Sequence, residues 1–131
     1  MKIFQGTGSR KSAIARATIS PGTGVVRVNS ALVQTMTSEM HRSKILEPLN
    51  IVGDLSKTVN LNITVKGGGP TAQADAIRLA IAKSFIAFDK TLQKTFLNYD
   101  RTLVVADVRQ KESHKPNCHG KARAKVQKSY R

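Results

Sequence analysis

Apolar and polar residues alternate strictly from Val59 to Lys66, with Val59, Leu61, Ile63 and Val65 set against Asn60, Asn62, Thr64 and Lys66. A period of two predicts a strand with one face in a core and one in solvent. Gly67-Gly68-Gly69-Pro70 comes next. Glycines open backbone angles closed to other residues, and proline suits the first position of a helix. Ile77, Ile81, Phe85 and Phe88 then recur at spacings of four, four and three, which is one helix face. Earlier in the chain, Ala13, Ala15, Ala17 and Ile19 alternate with Ile14, Arg16 and Thr18, predicting another strand. Val25 to Val28 reads as a strand that pairs with it as a hairpin across the turn cluster Pro21-Gly22-Thr23-Gly24. Lys2 to Gln5 is a short first strand, ended by Gly6-Thr7-Gly8.

Other stretches are less regular. Ser38 to Glu47 holds one or two short helical pieces, and Pro48 breaks or kinks what is there. Asp89 is placed to cap a second helix running to about Asn98, with Leu92, Phe96 and Tyr99 on its apolar side. Leu103 to Val108 is either a last strand or an extended run. Strands, irregular helix, strand and helix in that order predict an α+β two-layer sandwich, a mixed four-stranded sheet with helices on one face. If the strands align, Arg16, Thr18, Asn60, Asn62 and Lys66 share the other face.

Charge changes this picture. The 131 residues carry a formal net charge of +14 and a pI near 10.6, the signature of a polyanion-binding protein. The excess is concentrated: residues 109–131 hold eight basic side chains against Glu112 alone. Val126 and Tyr130 are the only large apolar residues there, too few to offset the entropy of ordering. We therefore divide the chain into a globular RNA-binding domain, residues 1–108, and an extended basic tail, residues 109–131, disordered when the protein is alone. The single cysteine, Cys118, excludes a disulfide framework and fits a reducing, cytoplasmic setting. No apolar run reaches membrane-spanning length, and Met1-Lys2-Ile3 does not begin a signal peptide.

Candidate chemistry is mostly a matter of exclusion. The glycine run lacks the Gly-Lys-Ser/Thr of a nucleotide hydrolase loop, so it reads as a strand-to-helix hinge, with phosphate contact at the helix start as the functional alternative. His114, Cys118 and His119 lack a fourth ligand and paired cysteine spacing, which argues against a metal site. The carboxylates form no acid/base pair, and no serine sits in a nucleophile motif, so neither an enzyme nor a cofactor is expected. His41 reads as a helix-surface or packing residue, and Arg78 and Lys83 as ordinary solvent-facing helix residues. Arg10, Lys11 and Arg16 mark a basic strand corner, and the tail sets Lys121, Arg123 and Lys125 between the small residues Gly120, Ala122 and Ala124. Small residues between charges let an extended chain lie close to phosphates. Without a helix-turn-helix or paired-cysteine module the partner is RNA.

Three stretches carry a family resemblance. Gly6-Thr7-Gly8-Ser9-Arg10-Lys11-Ser12-Ala13-Ile14-Ala15-Arg16 resembles the opening signature of the small-subunit ribosomal protein nine family. Val65-Lys66-Gly67-Gly68-Gly69-Pro70-Thr71-Ala72-Gln73-Ala74-Asp75-Ala76 and the residues to Lys83 resemble its central signature. Lys121 to Arg131 resembles its tail, and the ending Gln127-Lys128-Ser129-Tyr130-Arg131 is similar to the archaeal and eukaryotic branch; the short N-terminus favours an archaeal source. Ser9 stands where archaeal relatives usually carry a basic residue.

The resemblance implies a left-handed βαβ crossover and a structural role in translation, as part of the cytoplasmic ribosome. Family members bind ribosomal RNA in the head of the small subunit, beside neighbouring ribosomal proteins. Their tail reaches the anticodon arm of the peptidyl-site transfer RNA. Carried onto this chain, the ribosomal RNA contacts are Arg10, Lys11, Arg16, Lys66, Gly67, Gly68, Gly69, Arg109, Lys111, Lys115, Lys121, Arg123 and Lys125. The transfer-RNA contacts are Lys128, Ser129, Tyr130 and Arg131. Neither a membrane nor a small-molecule substrate is implied. The competing assignment is a non-ribosomal RNA-binding module or RNA chaperone.

Overall fold

Strict alternation puts a full row of apolar side chains on one side of a strand, and that row must be covered. In the computed structural model, which describes residues 2–123 and Tyr130, helices provide the cover. The elements are β1 (Phe4–Arg10), β2 (Ala13–Pro21), β3 (Val26–Val28), β4 (Ala31–Leu32), α1 (Glu39–Val52), β5 (Val59–Lys66), α2 (Pro70–Phe88) and α3 (Leu92–Tyr99). Short 3-10 turns occupy Val33–Thr35, Gly53–Thr58 and Arg101–Leu103.

The strands form one mixed five-stranded sheet in the order β1-β2-β5-β3-β4, with β3 parallel to β5 and all other neighbours antiparallel. The expected four strands become five because Asn29 and Ser30 both adopt positive φ, 48° and 73°, and turn the chain back on itself within two residues. Turns of that kind match the natural twist of paired strands. The expected hairpin between the second and third strands does not form. β3 lies on the far side of β5, because the carboxamide oxygen of Asn60 accepts hydrogen bonds from the Thr23 and Val25 amides at 2.9 and 3.1 Å and draws the chain across the end of β5. Asn29 then locks β3 down by exchanging two hydrogen bonds with the Val65 backbone.

β1 also runs further than expected, straight through Gly6 and Gly8. Both glycines are buried against α2, and a Cβ on Gly8 would strike the Ala76 carbonyl and lie 2.7 Å from the Ala80 amide. Ala76, Ala80 and Ser84 make the matching small-residue stripe on α2. Ala13, Ala15, Ala17, Ile19, Val59, Leu61, Ile63 and Val65 complete the covered face, packed with Ile45, Ile77, Ile81, Phe85 and Phe96. Phe88 is not in this core; it is exposed and meets the Phe4 ring edge-to-face.

α1 passes through Pro48 without ending, and Pro48 itself is buried, so the proline neither breaks nor stops the helix. α3 starts two residues later than expected, with Thr91 at its cap; Asp89 instead receives the Thr91 amide and hydroxyl. After the turn at Leu103 no strand forms among the described residues, and the chain runs on as irregular backbone. No helix is long and apolar enough to cross a membrane among the described residues.

Candidate nucleic-acid interface

The two-residue turn joining β1 to β2 gathers three segments distant in sequence. Lys11 sits at its tip with φ of 53°, and its carbonyl accepts a hydrogen bond from the Gln110 side chain at 3.2 Å. The glycine loop presses against the same turn. Gly67 and Gly68 both have positive φ, 78° and 70°, and a Cβ on either would collide with Ser12 or Ala13. Gly69 has no such constraint: its φ is −94°, and a Cβ at that position would meet nothing within 4 Å. Gln73 closes the loop by donating to the Gly67 carbonyl. Pro70 opens α2 as expected, and no N-cap side chain accepts from its first amides, which start beside exposed Gly69 and Thr71.

Arg10 and Arg109 meet at this corner around one carboxylate. Asp107 takes the Arg109 guanidinium at 2.7 Å and the Arg10 guanidinium at 3.5 Å, while Arg10 also donates to the Arg109 carbonyl. The Arg109 hydrogen bonds, side chain first and backbone second, hold the Asp107 carboxyl well below the usual carboxylate range. Both arginines are therefore partly engaged within the protein, which their spacing in the sequence does not reveal. Lys111 lies exposed just beyond.

Arg16 and Lys66 occupy a different surface, the open face of the sheet, where both are exposed. The register places Arg16 opposite Thr64, Thr18 opposite Asn62 and Ile14 opposite Lys66, so these side chains share that face. Asn60 is half-buried and spent on the Thr23–Val25 crossover. Arg27 joins the open face opposite Asn62. Its signal in the sequence is plain afterwards, a lone cation between two valines of a strand.

The tail is locally organised in its first half. Glu112 pairs with Lys115 at 2.7 Å and with Arg123 at 2.9 Å, and those two cations lower its pKa in that order. The Lys115 amide donates to the Lys121 carbonyl, and the Cys118 thiol lies 3.5 Å from the Ala122 carbonyl. Lys121 is exposed, as is Tyr130. Lys125, Lys128, Ser129 and Arg131 lie outside the described residues. Among the described residues no group of three or more His, Cys, Asp or Glu side chains is placed to hold a metal.

Arg78 corrects the expectation of an ordinary surface residue. It is half-buried and clasps three elements, donating to Glu47 of α1, to Asp100 and to the Thr102 hydroxyl. Asp100 is pulled down to about 2, first by the Thr102 backbone and hydroxyl and then by Arg78. This cluster fastens α1 and the Arg101–Leu103 turn to α2; it is a clasp, not a ligand site. His41 meets the Thr71 hydroxyl at 3.2 Å, tying α1 to the start of α2.

The sequence matches a known family along nearly its whole length. The family model described as "Ribosomal protein S9/S16" matches residues 8–131. A protein from Thermoplasma volcanium named "Small ribosomal subunit protein uS9" is 47% identical over 127 residues, 95% of this chain and 96% of the relative. Proteins of the same name from Methanococcus vannielii and Methanococcus maripaludis are 41% and 42% identical over the full length of both chains.

Proposed function

Because the chain belongs to the ribosomal protein S9/S16 family, we propose that it is a structural constituent of the small ribosomal subunit, part of the cytoplasmic ribosome, with ribosomal RNA as its principal partner. One observation supports this most directly: a single corner brings together Arg10, Lys11, the Gly67–Gly69 loop, Arg109 and Lys111. Backbone amides at a helix start and guanidinium forks are the groups that hold phosphates. Gly69, where a Cβ would face open space, lets an RNA backbone approach the main chain without meeting a side chain. Arg16 and Lys66 extend the contact onto the sheet, and Lys115, Lys121, Arg123 and Lys125 extend it along the tail. No catalytic step, cofactor or metal enters this role.

The finer parts follow the family resemblance. The globular part, residues 1–108, seats in the subunit head beside neighbouring proteins, with a left-handed crossover from β3 through α1 to β5. Residues 109–131 form a basic tail that runs through RNA, and Lys128, Ser129, Tyr130 and Arg131 reach the peptidyl-site transfer RNA. Fully extended, 23 residues span at most about 75–83 Å, enough for the tip to act far from the domain.

Cosedimentation with small subunits after a high-salt wash tests the main assignment. Stoichiometric retention is expected; loss of the chain from the subunits would favour a free RNA-binding module. Deleting Lys128 to Arg131 tests the tail. Incorporation should persist, while transfer-RNA affinity in the peptidyl site falls modestly and its salt dependence becomes shallower. Identical affinity and slope would leave the tail purely architectural.

A further inference from the structure

The open face of the sheet differs from the rest of the surface in its charge. None of the eight carboxylates of the chain lies in any of the five strands; the helices and their connections carry six, and Asp107 and Glu112 follow the last turn. Arg16, Arg27 and Lys66 stand on this face with no acidic residue in any row beside them. Between the cations the rows hold short polar side chains: Thr7 beside Arg16 and Thr64, and Gln5 and Thr18 in line with Asn62 and Arg27. Strand spacing sets Arg16 roughly 8 Å from Lys66 and roughly 12 Å from Arg27 at the Cα atoms. Arg16 and Arg27 thus flank β5 on its two sides, and Lys66 lies on β5 itself. The face is left bare by the described part of the tail, since Ile14, at 55% exposure, and Arg16 remain open to solvent.

What is missing from the face narrows the ligand. No aromatic residue lies on it: the Phe4 ring meets Phe88, and Phe85 and Phe96 are in the core. Sheet surfaces that bind single-stranded RNA hold unstacked bases on aromatic rings. Nor is it an apolar docking patch, because its large apolar residues, Ile14 and Leu32, sit at opposite ends. Separated cations with hydroxyls and amides between them suit a regular array of phosphates and ribose 2′-hydroxyls, which the wide, shallow groove of an RNA helix presents.

We propose that this open face is a docking surface for the backbone of double-helical RNA, held by Arg16, Arg27 and Lys66 at phosphates and by Asn62 and Thr64 at ribose hydroxyls, without reading bases. The proposal rests on the RNA-binding role above and adds Arg27 and the helical form of the ligand to it. It makes the sheet a second contact, separate from the corner that gathers Arg10, Lys11 and the glycine loop.

The test uses the full chain and two probes of equal nucleotide number, a fully paired RNA hairpin and oligouridylate, each titrated across a salt series. The triple variant R16Q/R27Q/K66Q should lose tenfold or more in affinity for the hairpin near 0.1 M salt, with a slope of log affinity shallower by about two to three. Its affinity for oligouridylate should change far less, because the tail and the corner still bind it. Asn62→Ala with Thr64→Val should narrow the preference for the RNA hairpin over a DNA hairpin of the same sequence. Unchanged urea midpoints establish that the variants fold. Equal loss on both paired and unpaired probes, or unchanged hairpin binding, would overturn the proposal. So would crosslinks from Arg27-substituted photoreactive residues that reach only protein within small subunits. These outcomes are separable from failure of the ribosomal role: a wild-type chain absent from washed subunits defeats that role, whereas an incorporated chain whose triple variant still binds the hairpin defeats the open-face contact alone.

Discussion

On the covered side of the sheet, Gly6 and Gly8 meet Ala76, Ala80 and Ser84, Ala13, Ala15 and Ala17 are fully buried, and α2 lies almost against the β1 backbone. On the other side the same strands lift Thr7, Arg16, Asn62, Thr64 and Lys66 into solvent. Where α2 lies on β1 the covered residues are small because the space is set by two backbones, so one added carbon has nowhere to go. Open-face residues are held by nothing above them, and their identity is free to follow charge. Packing is thus confined to one side of the sheet and the free cations to the other, and substitutions on the two sides should have different consequences.

The largest effect is expected from Gly8→Val. Its side chain would run into the Ala76 carbonyl and the Ala80 amide, which are helix backbone and cannot swing aside. Forced overpacking typically costs about 1–3 kcal/mol and occasionally more, and this site belongs at the upper end. Urea unfolding should show a collapsed midpoint or no cooperative transition. By contrast, Arg16→Gln on the open face should stay within about 0.5 kcal/mol of wild type. Equal losses at the two positions would erase the division between the faces.

Arg78→Met comes second. It leaves Glu47 and Asp100 facing each other without their shared cation. Full burial would make such a loss severe, but these carboxylates keep some water, so about 1–3 kcal/mol is expected at neutral pH. The clasp also predicts an acid limb. Asp100 is lowered from 3.8 to about 2 in the fold, so its contribution is present above about pH 4 and is lost as pH falls toward 2. The urea midpoint of wild type should drop through that window, and Asp100→Asn should flatten the drop. A wild-type midpoint that holds constant from pH 5 to 2 would count against the clasp.

The covered face was legible in the sequence because alternation decides which side of a strand each residue takes. Val59 to Val65 and Ala13 to Ile19 are buried as their spacing predicts, and Arg16 and Lys66 are outward. Alternation does not say which strand lies beside which, so the place of β3 beyond β5 is not legible from it. The deciding group was Asn60, a polar residue whose outward position concealed a hydrogen bond to a crossover. The clasp at Arg78 is hidden for a related reason: its partner Glu47 is 31 residues away, and helix periodicity carries no record of it. The corner was partly visible, since Arg10, Lys11 and the glycines stood out by type. Asp107 did not, because a single carboxylate in the run Val104–Val108 gives no pattern to detect.

The glycine loop joins the two faces and should respond residue by residue. Gly68→Val combines a φ of 70° with a contact of 2.9 Å to the Ala13 Cβ, and about 1–3 kcal/mol of strain is expected. Gly69→Ala faces open space at an ordinary φ and should leave stability unchanged. Its RNA affinity is the informative readout. A drop at Gly69→Ala with an intact fold means a phosphate backbone approaches closer than a methyl group allows; no change means that only Gly67 and Gly68 are needed, for the fold.

The smallest effect is expected at Asp107, and its sign carries the information. This carboxylate sits between Arg10 and Arg109, the two guanidinium groups that the proposed contact assigns to RNA phosphates. Arg109 is 83% exposed, so the pair is screened and weak, and Asp107→Asn should leave the urea midpoint unchanged. Binding should respond differently. An incoming phosphate must compete with Asp107 for both guanidinium groups, and removing the competitor should tighten RNA binding by a factor of about two to five, the equivalent of one exposed ion pair. The salt slope should steepen by up to about one, because cations no longer neutralised within the protein become available to release counterions. If Asp107 instead serves mainly to aim the two arginines, the same substitution weakens binding and the slope falls. Filter binding of a ribosomal RNA fragment to wild type and to Asp107→Asn across a salt series separates the two. A weaker, shallower curve would show that the carboxylate organises the corner rather than occupying it.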